Sequence, residues 1–219
     1  LYGLYKKLKP VIIHHFTIKP VLYGTLAGRL AGISCIINSI TGLGYSFSNA
    51  SIKRFLICNL YYITHKSKNV HVIFQNPDDK IFFLERNLIN SRQANLIVSS
   101  GIDLNYFNNK SQLNIRNSEN CTFLFLSRLL YEKGIEELVF AIEELYARNN
   151  KVKLIIAGEV EKNNHRSING EWLERKGKSP AISWIGYVDD VLDLLLSVDV
   201  MVLPSYYREG VPHSLIEAL

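Results

Sequence analysis

Strand-like apolar runs and helix-like segments alternate along almost the whole of this 219-residue chain, and that alternation limits its fold more than any other feature. Runs rich in Ile, Val, Leu and Phe stand at 9–15, 33–38, 70–74, 96–98, 122–127, 152–157, 182–187 and 200–204. Segments of helical period lie at 20–31, 52–65, 135–149 and 191–198. The N-P-D-D run at 76–79 is a helix-start signal with Asn76 or Asp78 as cap. Strands separated by helices pair in parallel, so the pattern predicts βαβ units and parallel sheets. The cycle runs twice, with a polar stretch at 108–120 between. The expected fold class is therefore α/β, with two Rossmann-like domains. Residues 1–107 form the latter part of the first, 108–120 a linker, and 121–219 the first part of the second.

Composition agrees with this and removes other classes. A hydrophobic content of 47% is enough to bury a core. The formal net charge is +5, with Lys and Arg in both halves, which suits an anionic ligand or membrane surface and leaves no nucleic-acid footprint. Cys35, Cys58 and Cys121 are far apart and odd in number, as expected of small buried residues in a reducing compartment. The most apolar stretch, 191–203, is broken by Asp193 and Asp199 and is too short for a membrane span. The only Met is Met201 and no signal peptide is visible, so the chain reads as an internal piece with both domains incomplete.

The stretch from Ser205 reads S-Y-Y-R-E-G-V-P-H-S-L-I-E-A-L. It follows the last apolar run directly and carries Glu209 and Glu217, eight positions apart. Gly210 lets the backbone turn and approach a ligand, and Pro212 suits the first position of a helix. Glu209 is thus expected in the loop and Glu217 in the early helix, at the C-terminal edge of a parallel sheet, where such folds bind ligands. Carboxylates only accept hydrogen bonds, so two of them suit a ligand rich in hydroxyls, such as a sugar or a ribose.

This stretch resembles the E-x7-E signature of the retaining, nucleotide-sugar-dependent glycosyltransferases of family 4, which have the GT-B fold. Other stretches extend the resemblance. R-L-L-Y-E-K-G at 128–134 matches the family's R-x4-K-G motif, with Arg128 and Lys133 in a loop and Gly134 at a helix entrance. A guanidinium fork, a mobile ammonium and free helix amides suit a diphosphate. S-S-G-I-D-L-N-Y-F at 99–107 resembles the family's hinge, with Ser100 in place of the usual asparagine. The H-H-F-T-I-K-P and T-G-L-G stretches, with Q-N-P-D-D at 75–79, narrow the likeness to N-acetylgalactosaminyl- and N-acetylglucosaminyl-type enzymes of bacterial polyprenyl-linked glycan assembly. In that family a histidine at the end of the first of these strands points into the cleft near the donor sugar. His14 and His15 both fit, alternation lets only one of them face it, and His15, nearer the strand end, is favoured. Thr41, Gly42 and Gly44 follow a strand and would either shape the acceptor side or form an ordinary turn.

The resemblance implies a retaining transferase. It would move a hexose or N-acetylhexosamine from a nucleoside-diphosphate sugar, UDP-linked in most of this subset, to a polyprenyl-diphosphate-linked sugar in surface polysaccharide synthesis. Arg128, Lys133 and the amides after Gly134 would hold the diphosphate, and Glu217 the ribose. Glu209, with the amides of Gly210, Val211 and Pro212, would hold the donor sugar, and His15 would position it. The basic pair neutralises the leaving group, so neither a metal nor another cofactor is implied, and no nucleic acid is. The chain would be cytoplasmic, with a peripheral place on the inner face of the cytoplasmic membrane. Two competing expectations are a non-hydrolysing sugar-nucleotide epimerase of the same architecture and a truncated, catalytically silent nucleotide-binding chain.

Overall fold

Strand β1 (Ile12–Phe16) starts a parallel sheet of order β1-β2-β3-β4, continued by β2 (Cys35–Ile40), β3 (Val70–Phe74) and β4 (Ala94–Leu96). The structure, a computed structural model, describes residues 1–44, 47, 52–99, 101–110, 119–206 and 209–219. It divides into two compact units: Leu1–Ser100 with Arg208–Pro212, and Gly101–Tyr207 with His213–Leu219. The expected hinge serine, Ser100, and residues 111–118 of the expected linker lie outside the described residues.

In the first unit, β-branched residues fill the strands and alternate between faces, so Val70, Val72 and Phe74 are buried. Val72 and Phe74 meet Phe47, Tyr61, Phe82 and Phe83 in an aromatic core, while Val70 packs with Ile13, Ile33 and Ile36. Helix α4 (Pro77–Glu85) begins as its sequence dictates. Asn76 accepts the Asp79 amide at 2.7 Å, Pro77 takes the first position, and Asp78 and Asp79 lie in the first turn. The expected helix at 20–31 starts differently, as a wider π-helical turn over Pro20–Gly24 that then tightens into α2 (Thr25–Ala31). Close packing accompanies this: a Cβ on Gly24 would stand 2.4 Å from His15 Nε2, and one on Gly28 2.5 Å from Ile13 Cδ1. Helix α1 (Tyr2–Leu8), which has no side-chain cap and no buried residue, was not expected. Helix α3 (Ile52–His65) has the expected bounds and buries Tyr61, Thr64 and His65.

The second unit holds a sheet of order β7-β6-β5-β8, again parallel. Its strands are β5 (Cys121–Leu126), β6 (Val152–Ala157), β7 (Ile182–Gly186) and β8 (Val200–Met201). From β5 the chain winds to β6 and then β7, and β8 returns on the opposite side of β5. Helix α6 (Ile135–Arg148) covers the sheet with Ile135, Leu138, Val139 and Ile142, four buried residues on one stripe. Helix α5 (Leu104–Lys110) occupies the first three residues of the expected linker. Shorter helices α7 (Gly170–Lys176), α8 (Val191–Leu196) and α9 (His213–Glu217) complete the unit. Strand β8 is shorter than the expected 200–204. Val202 still gives its amide to Leu124 O at 2.8 Å, after which the chain leaves the sheet.

Candidate active site

The reversal of strand order at β5 and β8 fixes where a ligand fits the second unit. The chain leaves β5 toward β6 on one side while β8 pairs with β5 on the other, and α/β sheets bind ligands at the C-terminal ends of strands where the order reverses in this way. The loop after β5 carries Arg128, a 3₁₀ turn over Tyr131–Lys133, and Gly134, which caps α6. Gly134 is required twice over. Its φ is 74°, and a Cβ there would stand 2.2 Å from Pro204 O, in the segment after β8. The same segment grips the loop elsewhere: the Tyr206 amide donates to Glu132 O at 3.2 Å, and the Ser205 hydroxyl does so at 3.4 Å. Lys133 is held at 6% exposure, whereas Arg128 is open to solvent and lies 3.7 Å from Glu161.

A second layer holds this loop from outside. Arg166 donates to the Glu132 carboxylate at 2.5 Å, and both side chains are largely buried. Ile168 N and Ser167 Oγ both donate to Leu129 O, at 2.8 and 3.1 Å, and Tyr131 N donates to Arg166 O. Sequence reasoning missed Arg166, because nothing local marks an arginine 34 positions from its partner in a polar stretch. Beyond it, Gly158 (φ 147°) passes so close to Ser127 that a Cβ would lie 2.2 Å from its carbonyl. Gly158 also gives its amide to Gly186 O and accepts the Trp184 indole at 2.9 Å. The end of β7 is thus tied to the turn that follows β6.

The structure brings Arg128, Lys133 and Gly134 into one loop, and puts Glu217 on α9 of the same unit. Glu217 pairs with His213 at 2.9 Å, and His213 reaches Gly101 O. Helix α9 starts at His213, one residue after Pro212.

Glu209, Gly210, Val211 and Pro212 group with the first unit. The Gly210 amide donates to Thr41 O at 2.9 Å, and Asn76 Nδ2 to Glu209 O at 3.3 Å. Two glycines permit this approach. A Cβ on Gly42 (φ 131°) would stand 2.6 Å from Glu209 Cα, and one on Gly210 would stand 2.4 Å from Gln75 Oε1. Thr41 and Gly42, read from sequence as a loop of open purpose, therefore seat the Glu209 turn.

The two histidines face opposite sides of β1, as alternation requires. His14 is exposed, stacks on Phe16 and lies 2.8 Å from Ser39 Oγ. His15 is the inward one, at 6% exposure, with both nitrogens engaged. Its Nδ1 donates to Asn38 Oδ1 at 2.9 Å, which leaves Nε2 to accept the Tyr5 hydroxyl at 3.0 Å. Asn38 also bonds Thr25 and gives Nδ2 to His65 Nε2, and His65 Nδ1 lies 3.0 Å from Tyr61 O. Burial lowers the pKa of His15 and pushes His65 down to about 4, so both rings stay neutral near pH 7. His15 therefore sits in a buried polar network linking α1, β1, α2, β2 and α3. Among the described residues, no group of three His, Cys, Asp or Glu side chains is arranged to hold a metal ion.

Two parallel α/β units of this kind are the GT-B architecture. The UDP-forming α,α-trehalose-phosphate synthase of Burkholderia xenovorans superposes with a TM-score of 0.77 at 15% identity, over 100% of this chain and 58% of that one. Anabaena HepE, solved with UDP, gives 0.74 at 18% identity, over 99% and 58%. The chain belongs to the glycosyl transferases group 1 family, matched over residues 107–219. Residues 1–77 match the family described as glycosyl transferase 4-like. Among curated relatives, the N,N'-diacetylbacillosaminyl-diphospho-undecaprenol alpha-1,3-N-acetylgalactosaminyltransferase of Campylobacter jejuni is 30% identical over 90% of this chain and 53% of its own length. The UDP-Gal:alpha-D-GlcNAc-diphosphoundecaprenol alpha-1,3-galactosyltransferase of Escherichia coli is 26% identical over 100% of this chain and 57% of its own. The chain spans about half the length of the curated relatives it matches.

Proposed function

We propose that the protein is a retaining hexosyltransferase that takes a hexose or N-acetylhexosamine from a UDP-sugar and gives it to a polyprenyl-diphosphate-linked sugar. The observation that carries this is the loop from Arg128 to Gly134. It stands at the β5–β8 switch point, with a buried lysine immediately before a helix-capping glycine that no other residue can replace without strain. The names of the undecaprenyl-diphosphate-dependent relatives support the acceptor class.

In this reading Lys133, Arg128 and the first amides of α6 bind the donor diphosphate, and Glu217, oriented by His213, accepts the ribose hydroxyls. Glu209 and the backbone of Gly210, Val211 and Pro212 hold the sugar. The acceptor hydroxyl attacks the anomeric carbon on the face from which the diphosphate departs. The bond from that carbon to the phosphate oxygen breaks as the new glycosidic bond forms, and the hydroxyl proton passes to the departing phosphate. Fixed positive groups facing that charge as it grows are the source of acceleration, with no metal or other cofactor taking part. His15 acts through the network behind β1, as a positioning residue.

Calorimetric titration with UDP and UDP-N-acetylhexosamines in EDTA tests this reading. Micromolar binding weakened by both Lys133→Ala and Glu217→Ala is expected. Absence of nucleotide binding, or near-normal turnover by Lys133→Ala, would overturn it.

A further inference from the structure

The first unit turns an apolar helix face to solvent. On α3, Ile52, Phe55, Leu56, Leu60 and Ile63 fall on one side of the helix, and Asn59 is the polar residue among them. Phe55 is 68% exposed, and Leu56 and Ile63 are each 56% exposed. The opposite side, with Tyr61, Thr64 and His65, faces the sheet. The stripe that periodicity picks out in this helix is thus the outer one. Along one flank and at its C-terminal end the ridge meets a concavity with paired basic groups. Arg54 and Arg86 line one of ≈ 390 Å³ beside Phe55, Tyr62 and Leu88, and both guanidinium groups lie over the Phe82 ring, at 5.1 and 4.0 Å. Arg29 and Lys68 line the other, of ≈ 690 Å³, where Ile63 meets Leu26 and Leu30 of α2.

Charge specifies what covers this face. The first 77 residues contain nine Lys and Arg and no Asp or Glu, and the first hundred contain twelve against three. The remaining chain is acidic, so the modest net charge hides a polarised distribution. An exposed apolar ridge flanked by cations, in a segment so poor in acids, complements an anionic bilayer surface. Apolar side chains enter the headgroup–acyl boundary there while Lys and Arg meet phosphates. We infer that the α3 face docks the protein on anionic lipid, with Ile52, Phe55, Leu56 and Ile63 inserted and Lys53, Arg86 and Lys66 against headgroup phosphates. This rests on the proposed lipid-linked acceptor and names the surface that brings the protein to it.

Co-sedimentation with vesicles of phosphatidylglycerol and phosphatidylcholine, against phosphatidylcholine alone, tests the inference with neither donor nor acceptor present. At least tenfold stronger binding to the anionic vesicles is expected, weakening as salt rises. Phe55→Asp with Leu56→Asp should lower it at least tenfold, and Lys53→Gln with Lys66→Gln at least threefold. UDP affinity, measured without lipid, should stay unchanged in both variants, which also reports that they fold. Equal binding to both vesicle types, or vesicle binding by the Asp variant equal to wild type, overturns the inference. Self-association of wild type through this face, abolished in the Asp variant and without vesicle binding, overturns it in favour of a dimer. Donor binding and vesicle binding are read separately, so either can fail without the other.

Discussion

The Cβ that Gly134 lacks would stand 2.2 Å from the carbonyl oxygen of Pro204. Neither partner can retreat cheaply, since Gly134 caps α6 at φ 74° and Pro204 follows β8. Gly134→Ala should therefore cost about 2 kcal/mol or more, from left-handed strain plus the clash. Urea unfolding reads the loss, and weaker UDP binding should accompany it.

The Glu132–Arg166 pair lies against the backbone of the same loop. Arg166→Ala leaves a largely buried carboxylate behind, at a cost of about 2–3 kcal/mol. Glu132→Gln combined with Arg166→Met removes both charges and should recover most of that stability. A double-mutant cycle on the urea midpoint would measure it, and two additive single losses would refute the coupling.

Stability should fall as the medium is acidified from neutrality. His65 is buried neutral with its pKa at about 4, and Arg29 and His15 push it the same way as burial does. In the unfolded chain it titrates near ~6.5. Between those values the unfolded state binds the extra proton, so acid favours unfolding. Stability is fully present above pH ~6.5 and loses roughly 3 kcal/mol by pH ~4 on account of this ring. His15, also lowered, adds to the slope. Unfolding free energy measured against pH checks this, and His65→Gln should flatten the curve.

Gly42→Ala should unseat the Glu209 turn. Its Cβ would meet backbone, 2.6 Å from Glu209 Cα, at a φ that other residues rarely adopt. Hydrogen exchange at the Gly210 amide, which bonds Thr41 O, should speed up by at least tenfold, while amides of β2 and β3 keep their protection.

How much of this was legible in the sequence varied with how local each signal is. Helix α4 was readable because Asn76, Pro77 and two aspartates act within one turn. The bounds of α3 were readable from its period, but its orientation was not. The face that looks more apolar is exposed, and the face toward the sheet carries Thr64 and His65, whose polar atoms are satisfied by Leu60 O and Tyr61 O. Lys133 and Gly134 stood out as a motif, yet their reason for being adjacent to Pro204 is tertiary. His14 and His15 could be assigned to opposite faces by alternation, whereas the partners that bury His15 come from Tyr5 and Asn38, and only folding brings these together. Arg166 had no signal at all.

The turn at Glu209 also sets an order of events during synthesis. Its hydrogen bond from Asn76 joins residues 133 positions apart, so the strands of the first unit leave the ribosome long before the turn that completes it. At translation rates of about 5–20 residues per second, the gap is on the order of ten seconds. During that interval Thr41 and Asn76 lack the backbone partners that Gly210 and Glu209 later supply.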